Sequence, residues 1–388
     1  MKTPIYLDHH ATTPLDPRVL EGMLPFLREH FGNAASRNHV FGRNAAAAVE
    51  EARERVAQAI GARYAEIVFT AGATEANALA LLGLAEGEAP GHLVTTAIEH
   101  PSVLDNARRL GRAGWSITVL PVDRHGRVGP EDVRAALTPH TRLVSVMAAN
   151  NEIGTLQPLA AIGAVVRGSA ALFHVDATQA LGRVPIDVEA LGIDLLSLSA
   201  HKAYGPKGVG ALYRRRRPRR VMLGPLFEGG GQEDGLRPGT QNVPGIVGMG
   251  LACELAVSEM PTERPRLLAL RRRLQARLVR ELDGLALNGH PEERLAGSLH
   301  LSIAGVEPDA LLLGLQDVAV SAGSACSTGA VKPSYVLQAI AAADTTGAAQ
   351  AQQVAALRLC VGRFNTEDEI DRAAQRIVER VRVLRQAA

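Results

Sequence analysis

Seven short apolar runs, each separated from the next by a helix-length stretch, set the tightest limit on how this chain can fold. They are Ile67-Val68-Phe69, Leu93-Val94-Thr95, Ile117-Thr118-Val119-Leu120, Leu143-Val144-Ser145-Val146, Leu172-Phe173-His174-Val175, Leu195-Leu196-Ser197-Leu198 and Val209 to Tyr213. Runs with little polar alternation suit strands buried on both faces, and strands that alternate with helices make a mainly parallel sheet covered on each side. The expected fold class is α/β, with a large domain on a mainly parallel seven-stranded sheet. Such sheets bind ligands outside the carboxyl ends of their strands, so the residues that follow each run carry the functional argument.

Gly72-Ala73-Thr74-Glu75 follows the first run and opens a helical stretch, Ala76 to Leu84. A small-residue turn at a helix N-terminus presents free N–H groups and a positive dipole end, a phosphate seat, although a plain N-cap explains the same residues locally. Glu99-His100-Pro101-Ser102 follows the second run, Asn150-Asn151-Glu152-Ile153-Gly154 the fourth, and Asp176-Ala177-Thr178-Gln179 ends the fifth. After the sixth come Ser199-Ala200-His201-Lys202 and a Gly/Pro-rich turn. A lysine at the end of a buried strand is partly desolvated, which lowers its pKa and frees the amine to form a Schiff base.

Together these residues match the needs of one cofactor, pyridoxal 5'-phosphate. Lys202 suits the aldehyde, Asp176 the protonated ring nitrogen, Asn151 and Gln179 the phenolic oxygen, His100 a stacking position, and Thr74, Ser199 and His201 the phosphate, with Ala73 in the same turn. The large domain is thus expected to bind pyridoxal phosphate. The adjacent His9 and His10 have no second His/Cys pair at ligand spacing, so no metal site is expected.

With 388 residues, 46% apolar and 21% charged, the chain is long enough for two domains. The large domain is expected over residues 15–260. Residues 1–14 and 261–388 form a smaller α/β domain, its boundary placed near Pro261, where Pro261 and Pro265 separate the helical patterns Ile246 to Met260 and Arg266 to Leu282. Asn44 to Ile60 reads as an amphipathic helix, Leu299 to Ile303 and Val318 to Val320 as strands, and Glu367 to Arg385 as a last helix. Ala339 to Ala356 fits helix or loop. Cys253 and Cys360 lie in apolar surroundings and read as core thiols, whereas Cys326 sits in the small-residue run Ser321 to Ala330 and is expected on a mobile, reactive loop, about residues 321–333.

A net charge of +2, from 42 basic and 40 acidic residues, creates no global field for nucleic acid or anionic membrane. The local exception, Arg214 to Arg220, is expected to be a solvated loop with its stems on the surface. The start, Met1 to Asp8, has no apolar signal region, and no run of about 18 uninterrupted apolar residues occurs. The expected location is the cytoplasm, with neither membrane nor direct nucleic-acid binding.

The ordered set of motifs, from Tyr6-Leu7-Asp8 with Ala11-Thr12-Thr13-Pro14 through Phe31-Gly32-Asn33, the rim motifs above, Arg237-Pro238-Gly239-Thr240, Ser324-Ala325-Cys326, and Arg358 before Gly362-Arg363-Phe364, resembles the cysteine desulfurases of the NifS/IscS type. They are class V aminotransferases of the fold-type I pyridoxal-phosphate enzymes. The resemblance implies a homodimer in which Thr240 reaches the partner's cofactor phosphate, with Arg358 and Asn33 binding the carboxylate of L-cysteine. It implies that Lys202 and His100 move protons and that the Cys326 thiolate takes the substrate sulfur as a persulfide, releasing L-alanine. The sulfur then passes to an acceptor protein, an iron–sulfur scaffold or another sulfurtransferase. Ala78 and Pro238 depart from the usual pattern beside the cofactor cup, and the chain ends after its last helix without the C-terminal extension that housekeeping members use for docking. A selenocysteine lyase or small-molecule aminotransferase would share everything except the role of Cys326. A non-catalytic partner protein would not need Asp176, Lys202 and Cys326 together.

Overall fold

The computed structural model describes residues 4–87, 89–322, 334–343 and 354–387. A short strand, β1 (Ile5–Tyr6), precedes helices α1 (Pro17–Arg28) and α2 (Val40–Gln58). The alternating part follows as β2 (Ile67–Thr70), α3 (Ala73–Ala85), β3 (His92–Thr96), α4 (Pro101–Arg112), β4 (Ser116–Leu120), α5 (Pro130–Ala136), β5 (Thr141–Ser145), α6 (Leu159–Arg167), β6 (Leu172–Asp176), β7 (Leu195–Ser199) and β8 (Gly210–Arg214). The chain then runs through α7 (Val243–Glu281), β9 (Leu285–Leu287), β10 (Ser298–Ala304), α8 (Pro308–Leu313), β11 (Val318–Ala319), α9 (Tyr335–Ala342), β12 (Val354–Cys360) and α10 (Glu367–Ala387).

All seven apolar runs enter one sheet, in the order β2-β8-β7-β6-β5-β3-β4. Pairings from β4 to β7 are parallel, and β8 is antiparallel to both its neighbours. Every residue of β2, β3, β6, β7 and β8 is buried, while the edge strand β4 is partly exposed, which is why unbroken apolar runs marked the interior strands. From β3 the chain moves outward to β4 and then returns to the other side of β3 as β5. This reversal opens a crevice between the carboxyl ends of β3 and β5.

A second apolar core holds Leu7, Leu274, Leu301, Leu357 and Ile377. It lies beneath the three-stranded antiparallel sheet β12-β10-β9, and β1 pairs in parallel with β11 beside it. The two helical patterns on either side of Pro261 form one helix. Helix α7 continues through Pro261 and Pro265, its first half packed in the core of the large sheet through Met249 and Cys253 and its second half in the other core through Leu270 and Leu274. Both prolines are exposed and four residues apart, so they share the wet face, where water satisfies the carbonyls left without an N–H. Near its start α7 passes so close to α2 that a Cβ on Gly250 would lie 2.8 Å from the Ala52 Cα. Part of α7 is long and apolar enough to cross a membrane, and 56% of that stretch is buried inside the protein.

The arginine run is not simply a solvated loop. Arg214 ends β8 and is buried, as is Arg215, which pairs with Glu189 at 2.8 Å and Asp194 at 3.1 Å and donates to the carbonyls of Val188 and Ile193. Cys253 and Cys360 are buried, and burial pushes their thiols up to about 12 and about 11. The ambiguous stretch from Ala339 contributes the end of α9 and the start of β12, with residues 344–353 outside the described set. Because the freed carbonyl of Val257 regains a donor in Pro261→Ala, that substitution is expected to stabilise the fold by about 1–3 kcal/mol, measured by urea unfolding.

Candidate active site

A cleft of about 890 Å³ lies at the carboxyl ends of the sheet strands. Ala73 and Thr74 enter it from the start of α3, His100 from the N-cap of α4, Asn151 from the turn after β5, Asp176 and Gln179 from the end of β6, and Ser199, His201 and Lys202 from the end of β7. Arg358 reaches it from β12, and Ala78 lines it from α3. Nearly every rim residue chosen from the sequence therefore shares one cavity.

Two chosen residues do not. Asn33 is exposed outside the cleft, and its side-chain oxygen accepts from the Ala35 N–H at 2.9 Å in a local turn. Thr240 is also exposed and away from the cleft of its own chain. Cys326 lies outside the described residues.

The N-terminal segment closes the floor. Lys202 Nζ donates to the carbonyls of His10 at 2.6 Å and Ala11 at 2.7 Å, and the Gln179 amide also donates to His10 O at 2.9 Å. The Thr12 hydroxyl lies 3.1 Å from His201 Nδ1. These contacts were not foreseen: His10 drew attention for its ring, whereas its carbonyl meets the lysine. The motif from Asp8 to Pro14 was the available signal.

Asp176 is buried. One carboxylate oxygen accepts from the Thr178 N–H at 3.0 Å and the other from Asn77 Nδ2 at 2.8 Å. Burial pushes the His100 imidazole down, with the nearby Asp176 charge opposing it, and pushes His201 down to about 4. His100 Nδ1 accepts from the Ser102 N–H at 3.1 Å, which leaves Nε2 to serve the cleft. Arg358 is 1% exposed and holds Asp8 at 2.8 Å and the Asn151 carbonyl at 3.1 Å.

The donor set fits pyridoxal phosphate. Gly72 caps α3 without a side chain, so the first-turn N–H groups beside Thr74 remain available to a phosphate. Two buried polar atoms of cleft residues, Asn151 Oδ1 and Thr178 Oγ1, have no hydrogen-bond partner among the described residues. Among those residues no group of three or more His, Cys, Asp or Glu is placed to hold a metal ion.

Comparison with known proteins agrees with this geometry. The model of the aminotransferase class-V family matches residues 5–373. The chain belongs to the class-V aminotransferase family. It is 52% identical to the cysteine desulfurase IscS of Anaeromyxobacter dehalogenans over all of this chain and 94% of the relative. Among solved structures, a NifS-like protein superposes with a TM-score of 0.88 at 38% identity, covering 97% of this chain and 99% of that one. SspA in complex with cysteine superposes with a TM-score of 0.79 at 35% identity, covering 93% and 100%.

Glu99, next to His100, gives a pH signature. It is fully buried, its Oε1 accepts from the Thr96 hydroxyl and the Met147 N–H, each at 2.8 Å, and burial pushes its carboxyl up to about 8. Unfolded, it titrates at about 4.3. Between those values the folded state holds a proton that the unfolded state has lost, so stability falls as pH rises across the window. Glu99→Gln removes that contribution, and its stability relative to the parent is expected to grow from about pH 5 to pH 8 in urea titrations.

Proposed function

We propose that this protein is a pyridoxal-phosphate-dependent cysteine desulfurase that converts L-cysteine to L-alanine and leaves the sulfur as a persulfide on Cys326. The observation that carries the reading is the gathering of Lys202, Asp176, His100, Asn151 and the Thr74, Ser199 and His201 donors in one cleft with Arg358. Full-length identity with a cysteine desulfurase supports it, as does the likeness to a structure solved with cysteine.

Lys202 would hold the cofactor's aldehyde carbon, Asp176 its ring nitrogen, Asn151 and Gln179 its phenolic oxygen, and the α3 N-terminus with Thr74, Ser199 and His201 its phosphate. The bound cofactor supplies an electron sink for bond breaking at the substrate's carbons. The remaining work belongs to the chain. Arg358 binds the substrate carboxylate through its planar fork. Lys202 would carry protons at Nζ, with the carbonyls of His10 and Ala11 at its back to orient it. Nδ1 of His100 accepts from the Ser102 N–H, so the neutral ring carries its hydrogen on Nε2 and offers the cleft an N–H donor.

Cys326 accepts the sulfur as a thiolate: an S–S bond forms as the substrate C–S bond breaks, L-alanine takes up the proton, and the sum is redox-neutral. The persulfide then serves an acceptor protein, in iron–sulfur cluster assembly or another thiolation pathway. The assembly is a cytoplasmic homodimer, in which the exposed Thr240, remote from its own cleft, contacts the cofactor phosphate of the partner subunit.

The test mixes purified protein, pyridoxal phosphate and L-cysteine and measures alanine, sulfide and protein persulfide. Equal alanine and persulfide in a single turnover is the expected result. Lys202→Ala should lose the covalent cofactor and lower turnover by about a hundredfold or more. Cys326→Ser should bind cofactor yet form no persulfide. Full sulfide release by the Cys326 variant, or consumption of a keto acid in place of sulfur transfer, would sink the assignment.

A further inference from the structure

Behind the cleft wall, one fully buried carboxamide joins two of its working groups. Asn77 lies on α3 with no solvent exposure and does not line the cleft. Its Nδ2 donates to Asp176 Oδ2 at 2.8 Å and to Ser102 Oγ at 2.8 Å, and Ser102 Oγ lies 2.8 Å from His100 Nδ1. Both amide hydrogens are used, while Asn77 Oδ1 has no donor among the described residues. Reversing the amide would set its oxygen against the Asp176 carboxylate, so the charge fixes its orientation. With one of its lone pairs engaged by Asn77, the Ser102 hydroxyl is oriented to turn its own hydrogen to His100 Nδ1, which the Ser102 N–H already meets at 3.1 Å.

We propose that Asn77 is a positioning residue that fixes the Asp176 carboxylate and, through Ser102, the His100 ring as one preassembled unit, tied to the helix whose N-terminus faces the cofactor phosphate. This rests on the cofactor reading above. A charge-assisted donor keeps the carboxylate aimed, and a carboxylate already placed to hold the ring nitrogen costs no rearrangement at the moment of reaction. The carboxylate ends β6 and the imidazole caps α4, and α3 packs against both of those elements, so it is placed to bridge them.

The experiment uses Asn77→Leu, similar in volume but without donors, and Asn77→Asp, equal in size but opposed to Asp176. Pyridoxal phosphate is titrated into each apoprotein and followed by visible absorbance, and kcat and KM for L-cysteine are measured at saturating cofactor. Cofactor affinity is expected to fall about tenfold or more in Asn77→Leu and further in Asn77→Asp. In the leucine variant kcat should fall while KM stays within about twofold, the pattern of a group acting on the transition state.

A double-mutant cycle separates this role from packing: in an Asp176→Ala background Asn77→Leu should have little further effect on cofactor affinity. Unchanged affinity in Asn77→Leu, or an equal loss in the Asp176→Ala background, would overturn the role. If the leucine variant does not fold, Asn77→Ser carries the same cycle. If the parent chain binds no pyridoxal phosphate, the cofactor reading fails by itself, and the His100 titration in the apoprotein, followed by nuclear magnetic resonance, decides Asn77. Asp176, Lys202 and Asp105 act on that imidazole in every variant. Asn77→Leu releases the Ser102 hydroxyl from the orientation in which its hydrogen serves the neutral Nδ1, so the titration should move to higher pH; an unmoved titration overturns the role.

Discussion

The carbonyls of His10 and Ala11 have left water, and the groups that replace it are the amine of Lys202 and the amide of Gln179. Much of the site depends on that exchange. A buried carbonyl without a donor is costly, and a lysine near a sheet end has many rotamers to lose. Their pairing answers both at once. The same segment is held along its length. Leu7 accepts from the Cys360 N–H, the Thr13 hydroxyl donates to the His201 carbonyl, and Asp16 caps α1 while pairing with Arg363 at 2.8 Å. It is a strap whose anchors reach both apolar cores, so the floor of the cleft is fixed from both sides.

What could be read from the sequence follows the range of the forces involved. Buried strands announce themselves because burial on both faces removes polar alternation, and even the partly exposed edge strand β4 was legible from its apolar run. The rim residues were legible for a related reason: six of the seven strands run in the same direction, so the residues following those runs must converge. Prolines misled, because their effect depends on which face they occupy, and Pro261 and Pro265 sit where water substitutes for the lost bonds. Arg214 and Arg215 misled because charge is normally exposed, whereas Glu189 and Asp194 compensate Arg215 far from it in sequence. Asn33 has its carboxamide oxygen in its own turn, which motif order alone does not disclose.

Burial also decides the charge of the cleft. It pushes the imidazoles of His10, His100 and His201 down, with help from Lys202 in each case, and opposed at His100 by Asp176. These rings are therefore neutral near pH 7 and act as oriented donors and acceptors. A cluster of imidazolium ions would repel a protonated ring nitrogen and weaken Asp176's hold on it.

Arg358 carries the same logic to the junction with the second core. A guanidinium at 1% exposure needs a counter-charge, and Asp8 provides it at 2.8 Å. Asp8 also accepts from the Ser321 hydroxyl at 3.3 Å, and Ser321 O accepts from the Arg358 backbone N–H at 2.7 Å. Ser321 lies shortly before Cys326 in sequence. The cation proposed to bind the substrate carboxylate and the chain leading to the thiol proposed to accept the sulfur thus share one anchor, Asp8. Its partners are 313 and 350 residues away along the chain. No local pattern encodes such a contact; it exists only once β1, β11 and β12 have packed, and so substrate binding and the start of the thiol segment are set by the same folding event.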